Sequence, residues 1–196
     1  MKHTVEQLIS ISHRYFPRGI PSDDPRYDTA PEIQRQRDAR SRAANDYPAW
    51  RGLLGRLGEL YPGTYIENRS IGLQSRSADN CDRCFGCYLE LPHDPSEPYR
   101  YLGLFVSFVV PYYTFHHLHA NKGWDIRQDY KERFDFILPG DAEPYAIAIA
   151  KEVEAAFPGH ERMPGEIALT LVPEVAAGRH LYGEALIFDC LFSDIW

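Results

Sequence analysis

The stretch LGLFVSFVV, residues 102–110, decides the fold class of this chain because it is almost wholly apolar. Such a run is typical of a central strand that is covered on both faces of its sheet. Pro111 follows directly. Because proline cannot donate a hydrogen bond to a sheet ladder, the strand must bend or reach an edge there. We therefore predict a sheet that is buried on both sides around this run.

Shorter segments on either side also read as strands. Cys87, Leu89 and Leu91 alternate with polar or amphipathic neighbours, which predicts a half-buried strand that begins near Cys87. Further strand material is predicted at 65–67, at 71–73, in the alternating segment 134–138, in IALTLVP (167–173) and in ALIFDCLF (185–192). Two of these strands would finish the chain.

Helical periodicity dominates the first 60 residues. Thr4 and Gln7 form a capping box before a helix that Pro17 stops. A proline-rich loop follows at 17–31, then a polar helix over 32–46 that carries four arginines, and then a helix from Tyr47 with a stripe of leucines. A fourth helix is predicted over 141–157, with Asp141 as its cap.

Helices therefore come first, and strands follow with one helix inserted among them. This order predicts an α+β fold, with a mainly antiparallel sheet and helices packed on it. The 196 residues contain no repeat and no linker composition, so we predict one domain over residues 1–196.

Composition narrows the class of protein. Hydrophobic residues make up 44% of the chain and charged residues 25%, which is typical of a globular protein. The net charge of −7 argues against a nucleic-acid partner, and the apolar runs are too short to predict a membrane-spanning helix. The N-terminal stretch does not resemble a signal peptide, so we expect a cytoplasmic protein with reduced thiols.

The motif CDRCFGC, residues 81–87, is the main candidate for metal chemistry. Cys81, Cys84 and Cys87 have spacings that suit a turn around zinc, and His93 or Cys190 could supply the fourth ligand. However, no second cysteine pair exists, and alternation places Cys87 and Cys190 among buried apolar side chains. We predict no bound cofactor or metal, with Cys81 and Cys84 in a loop. A zinc-binding enzyme or sensor built on Cys81, Cys84, Cys87 and His93 is the alternative.

No catalytic constellation emerges elsewhere in the sequence. In YTFHHLH, His117 and His119 share one strand face and His116 lies on the other, an arrangement that more often marks polar groups at a strand end than a metal site. A nucleophile elbow, a dinucleotide-binding glycine motif and a P-loop are all absent from the sequence. We therefore predict that the protein is not an enzyme.

Several segments carry a resemblance to a known group of proteins. They are YFPRGI (15–20), CYLELP (87–92), FVSFVVPYY (105–113), MPGEIALTLVPEVAAG (163–178) and LYGEALIFDCLFSDIW (181–196). Together they resemble bacterial immunity proteins of polymorphic toxin systems, of the immunity protein 52 type. The resemblance spans most of the chain, and its motifs are structural in character.

The resemblance implies a cytoplasmic antidote that binds a cognate toxin, often a nuclease, and blocks it without catalysis. Charge supports such a partner, because residues 59–196 carry 11 basic and 21 acidic side chains and would attract a basic surface. As contacts we predict acidic residues in polar segments that flank the sheet. They are Asp79, Asp82, Asp125, Asp129 and Glu132.

Overall fold

A six-stranded sheet forms the centre of the molecule. The computed structural model describes residues 1–70, 83–94, 96, 99–120, 134–177 and 181–193. The strands are β1 (Ile66–Asn68), β2 (Cys84–Leu91), β3 (Tyr99–Ser107), β4 (Tyr112–Ala120), β5 (Phe134–Asp135) and β6 (Glu161–Arg162). Strands β1 to β5 are antiparallel neighbours in sequence order, and β6 pairs with β4 in parallel.

Helices pack against both faces of this sheet. They are α1 (Val5–Tyr15), α2 (Pro31–Ala43), α3 (Tyr47–Leu60), α4 (Glu143–Ala156), α5 (Gly165–Ala168) and α6 (Ile187–Leu191), with a short 3-10 turn, Ala44–Asp46, between α2 and α3. The fold is therefore α+β, as the sequence predicts. None of the helices described is long and apolar enough to cross a membrane.

Strand β3 separates two hydrophobic cores. Leu104 and Val106 lie in the core beneath α3 and α4, which we call the α4 face. Phe105 lies in the other core, beneath α1 and α6, which we call the α1 face. All three side chains are buried. The prediction that this run is covered on both faces is confirmed.

The predicted helix signals in the first half of the chain are confirmed. The Thr4 side chain accepts a hydrogen bond from the backbone N–H of Gln7, and the Gln7 side chain accepts one from the backbone N–H of Thr4. Helix α2 buries only Ile33, Ala39 and Ala43. Its remaining residues are exposed or half-buried, as its polar sequence predicts.

The prediction of two C-terminal strands is wrong. Residues 167–173 contain the end of α5 and a single bridge from Leu171 to Leu186, and residues 187–191 form α6. Because residues 187–193 are all buried, their apolar run carries no period that distinguishes a helix from a strand. The carboxylate of Asp189 fixes the start of α6, because it accepts a hydrogen bond from the backbone N–H of Leu186 at 2.6 Å.

The predicted strand at 71–73 lies outside the described residues, and the strand predicted at 134–138 is limited to Phe134–Asp135. Other predicted boundaries also shift. Strand β3 ends at Ser107, not at Val110, because the Ser107 hydroxyl accepts hydrogen bonds from the backbone N–H groups of Val109 and Val110 and so forms a turn. Asp141 is not the cap of α4. Its N-cap residue is Ala142, and Asp141 forms an ion pair with Arg100 instead.

A glycine in β3 makes room for a buried histidine in β4. Gly103 and His116 are directly opposite each other, and a Cβ atom on Gly103 would lie 2.5 Å from the His116 Nε2 atom. The His116 ring cannot easily move aside, because it packs among aromatic rings. These are Tyr88, Phe105, Phe136 and Phe188.

We predict that Gly103→Ala lowers the free energy of unfolding by about 1–3 kcal/mol, because the added methyl group overpacks this site. Gly58→Ala is the matched control. Gly58 is an exposed residue of α3, with open space where a Cβ atom would lie, so alanine there should raise stability by about 0.5–1 kcal/mol. Urea titration of the three proteins measures both changes. Equal stability of wild type and Gly103→Ala would contradict this account of the β3–β4 contact.

Candidate functional site

The two ends of the sheet differ in their surroundings. At the start of β2, the backbone N–H of Arg83 donates to the carbonyl of Phe192, and its guanidinium donates to the carbonyl of Asp189. The same guanidinium lies over the Phe16 ring at 5.0 Å and reaches Gln36 of α2. Arg83 is only 1% exposed. The helices α2 and α6 therefore close this end, which we call the closed end.

The opposite end of the sheet is rich in tyrosine and in charged groups. Here β2 ends, β3 begins and β4 ends, and the adjacent α3 C-terminus meets the first turn of α4 through the rings of Tyr61 and Tyr145 at 5.4 Å. We call this region the polar end. Its members are Tyr61, Tyr65, Glu90, His93, Tyr99, Arg100, Tyr101, His117, His119, Asp141 and Tyr145. All of them except His117 reach solvent.

On the α4 face of the polar end, an ion pair lies beside two histidines. An Arg100 guanidinium nitrogen is 2.8 Å from an Asp141 carboxylate oxygen, and this hydrogen bond holds the pKa of Asp141 below its usual value. The rings of His117 and His119 meet edge to face at 4.4 Å. Asp135 of β5 is directly opposite His117. The predicted pairing of His117 and His119 on one face is confirmed.

Burial controls the protonation of the buried histidine in this group. It lowers the pKa of His117 to about 4, and the positive charges of His119 and Arg100 act in the same direction. His117 is therefore neutral near pH 7. Its Nε2 atom has no hydrogen-bond partner among the residues that the structure describes. In the same described part of the chain, no three His, Cys, Asp or Glu side chains converge as metal ligands.

On the α1 face of the polar end, glutamates alternate with tyrosines across three strands. Glu90 of β2 is opposite Tyr101 of β3, and its backbone N–H donates to the carbonyl of Tyr65. Burial raises the pKa of the Tyr101 hydroxyl, and the nearby carboxylate of Glu90 raises it further. We call this surface the tyrosine–glutamate patch. It consists of five members of the polar end and the adjacent Glu67 of β1, namely Tyr65, Glu67, Glu90, His93, Tyr99 and Tyr101.

Ring stacking holds part of this patch in place. Tyr99 stacks on Tyr101 with ring centroids 6.3 Å apart and an interplanar angle of 19°. The His93 ring lies 4.8 Å from that of Tyr99. Tyr65 is 56% exposed, so its ring remains accessible at the edge of the patch. Successive rings with limited freedom lose little entropy when a partner binds.

The structure does not bring the candidate zinc ligands together. Cys84 and Cys87 lie on opposite faces of β2, one in each hydrophobic core. His93 follows the far end of β2, and eight residues of extended chain put Cys84 and Leu91 about 23 Å apart. Cys190 is buried in α6, and Cys81 lies outside the described residues.

The predicted position of Cys84 in a loop is wrong, because β2 begins at this residue and Cys84 is 2% exposed. Cys87 is on one face with Leu89 and Leu91, as predicted, but the strand is not half-buried, because Tyr88 on the other face is only 6% exposed. Burial raises the pKa of the Cys87 thiol to about 12, which keeps it protonated and unreactive near pH 7.

The five acidic residues predicted as contacts all lie outside the described part of the chain. They are Asp79, Asp82, Asp125, Asp129 and Glu132. Their described neighbours in sequence lie at different ends of the sheet. Ser70 and Arg83 are on the side of the closed end, whereas Ala120 is opposite Tyr99 at the polar end.

Sequence reasoning missed the tyrosines of the polar end. Tyr99 and Tyr101 carried a usable signal, because residues two apart on a strand point to the same face. Tyr61, Tyr65 and Tyr145 carried none, since only strand register and helix packing bring them to the same end.

No family model, curated protein or solved structure matches this chain. The resemblance to immunity proteins therefore stays a prediction.

We predict that the burial of His116 makes the folded protein less stable in mild acid. Burial lowers the pKa of His116 to about 3, so the unfolded chain binds a proton at this residue below about pH 6.5 while the folded chain does not. This difference lowers the free energy of unfolding as the pH falls from about 6.5 towards 3, and contributes about 2 kcal/mol between pH 7 and pH 5. We predict that His116→Leu reduces the pH dependence by about this amount.

Urea titrations at pH 7 and pH 5 measure the difference for wild type and variant. Gly58→Ala is the control, because it replaces an exposed residue without adding or removing an ionisable group and should leave the wild-type difference unchanged. The same pH dependence in wild type and His116→Leu would show that His116 is not the residue responsible.

Proposed function

We propose that this protein is an immunity protein, which binds a cognate bacterial toxin, a nuclease effector, and neutralises it by stoichiometric, non-catalytic inhibition. The resemblance of the sequence to such proteins supports this function. The structural observation that supports this function best is the polar end, where tyrosines and charged side chains lie together at one end of the sheet. We propose that the polar end contacts the toxin in the cytoplasm.

The composition of the polar end supports a protein partner. Tyrosine and arginine are enriched at the energetically dominant positions of protein interfaces, because each combines a large contact area with a directed polar group. Five tyrosines and Arg100 belong to the polar end, and Tyr65 is 56% exposed. Aromatic side chains that are already half-buried can anchor a partner at a small entropic cost.

The paired strands β2 and β3, which carry the polar end, support specific recognition. Strands β2 and β3 are joined by an unbroken register from Cys84 opposite Ser107 to Leu91 opposite Arg100. Both hydrophobic cores pack against these strands, so the side chains at their ends have fixed positions before a partner arrives. Recognition groups on rigid elements bind more specifically than groups on free loops.

Charge supports a basic partner. The chain has a net charge of −7, and its excess of acidic residues lies after residue 58. Nucleases have basic surfaces that hold the phosphate backbone, and an acidic protein is attracted to such a surface over a distance of about 10 Å at moderate salt. Long-range attraction of this kind raises the rate of association.

Co-expression tests the proposed function directly. The protein encoded by the neighbouring gene should kill cells when it is expressed alone and should spare them when this chain is expressed with it. Purified chain should also form a one-to-one complex with that protein. Failure of protection with every neighbouring candidate would contradict the proposal.

Charge reversal tests the predicted acidic contacts. The double variant Asp125→Lys, Asp129→Lys should weaken toxin binding by about tenfold or more at low salt and should flatten its salt dependence. The matched control is Asp23→Lys, Asp28→Lys, which changes the net charge equally at two exposed residues in the N-terminal third. Equal loss of affinity in both variants would assign the effect to net charge and not to these contacts.

A further inference from the structure

We infer that the tyrosine–glutamate patch binds an arginine side chain presented by a basic segment of the partner protein. The partner's identity as a toxin rests on the proposed function, whereas the chemistry of the patch can be tested without it. The inference depends on an arrangement that the structure contains twice, once with an arginine of the chain itself and once without.

The first arrangement is complete within the chain. Glu67 of β1 is directly opposite Tyr88 of β2. A guanidinium nitrogen of Arg69 lies 2.7 Å from a carboxylate oxygen of Glu67, and the same guanidinium lies over the Tyr88 ring at 5.9 Å. One arginine therefore satisfies a glutamate and an aromatic ring on two neighbouring strands at once.

The second arrangement is the next row of the same face. Glu90 is directly opposite Tyr101, and Tyr65 lies on the other side of Glu90. Among the described residues, no side chain donates a hydrogen bond to the Glu90 carboxylate, and the Nδ1 atom of His93 lies 3.7 Å from one of its oxygens. In the part of the chain that the structure describes, this row repeats the glutamate–tyrosine pair of the first row, and no guanidinium lies on it.

Access and electrostatics favour a cation in this row. The Glu90 side chain is 27% exposed and Tyr65 is 56% exposed, so a long side chain can reach both. Tyrosine faces attract cations, and the carboxylate adds a charged acceptor beside them. Arginine fits better than lysine, because its planar guanidinium can stack on a ring while it donates in plane to a carboxylate.

Peptide binding to the full-length chain tests this inference. The probe is an acetylated, amidated hexa-arginine peptide at pH 7.5, with hexaglutamate of the same length as the opposite-charge control. We expect hexa-arginine to bind with chemical-shift changes at Tyr65 and Tyr101 and hexaglutamate to cause none. Glu90→Gln and Tyr65→Ala should each raise the dissociation constant by about threefold to tenfold.

Matched variants separate the patch from the general acidity of the chain. Glu166→Gln and Tyr182→Ala make the same substitutions at exposed residues that do not belong to the patch and should leave affinity within about twofold of wild type. Equal affinities of wild type, Glu90→Gln and Tyr65→Ala would overturn the inference, as would equal losses in the matched variants.

The outcome is distinguishable from that of the co-expression test. Loss of peptide affinity in Glu90→Gln without protection from any neighbouring toxin would support the arginine site and contradict the immunity function. Protection by a Glu90→Gln variant that binds peptide like wild type would support the immunity function and overturn the arginine site.

Discussion

Burial of β3 on both faces is the constraint on which the rest of the structure depends. Leu104 and Val106 need a hydrophobic layer on one side of the sheet and Phe105 needs one on the other, so helices must cover both faces. The chain meets this requirement with α3 and α4 on one face and with α1 and α6 on the other. The close contact of Gly103 with His116 shows how little spare volume remains between β3 and β4.

Because helices cover both faces of the sheet, a partner can reach the strands mainly at their ends. Arg83, Phe16 and the helices around them occupy the closed end. At the other end the strands finish in tyrosine, histidine, arginine and glutamate, which are held by register and not by loop conformation. The same physical cause, the double burial of β3, thus accounts for the stable core and for the position of the candidate site.

Local signals in the sequence predicted the elements with a clear period or a clear cap. The Thr4–Gln7 box and the alternation of Cys87, Leu89 and Leu91 both specify their element without help from the rest of the chain. Residues 187–193 did not, because burial on all sides removes the period, and the decisive hydrogen bond of Asp189 to the Leu186 N–H suits a helix start that the apolar run concealed. The predicted loop position of Cys84 is wrong for a related reason. The cysteine spacing favours a turn, but the strand has already begun at this residue.

The candidate site was harder to predict than the fold, because it depends on residues far apart in the chain. Tyr65, Glu90 and Tyr101 meet only through the pairing of three strands, and Asp141 reaches Arg100 only because α4 starts at the same end of the sheet. Acidity in the sequence predicts a basic partner and five acidic contacts, all outside the described residues, but it does not predict the tyrosines of the polar end. The pairing register of the strands decides which of these residues lie side by side on the surface, and a single sequence does not reveal that register.

Hydroxyl-radical footprinting of the chain, alone and with the candidate toxin from the neighbouring gene that the proposed function expects it to bind, tests most directly whether the polar end is the contact surface. Tyrosine oxidation reports the exposure of individual rings. We predict that Tyr65 and Tyr99 become protected in the complex while Tyr182, which is 42% exposed on the C-terminal segment, keeps its reactivity. Protection of Tyr182 with unchanged oxidation of Tyr65 would place the partner elsewhere and contradict the account.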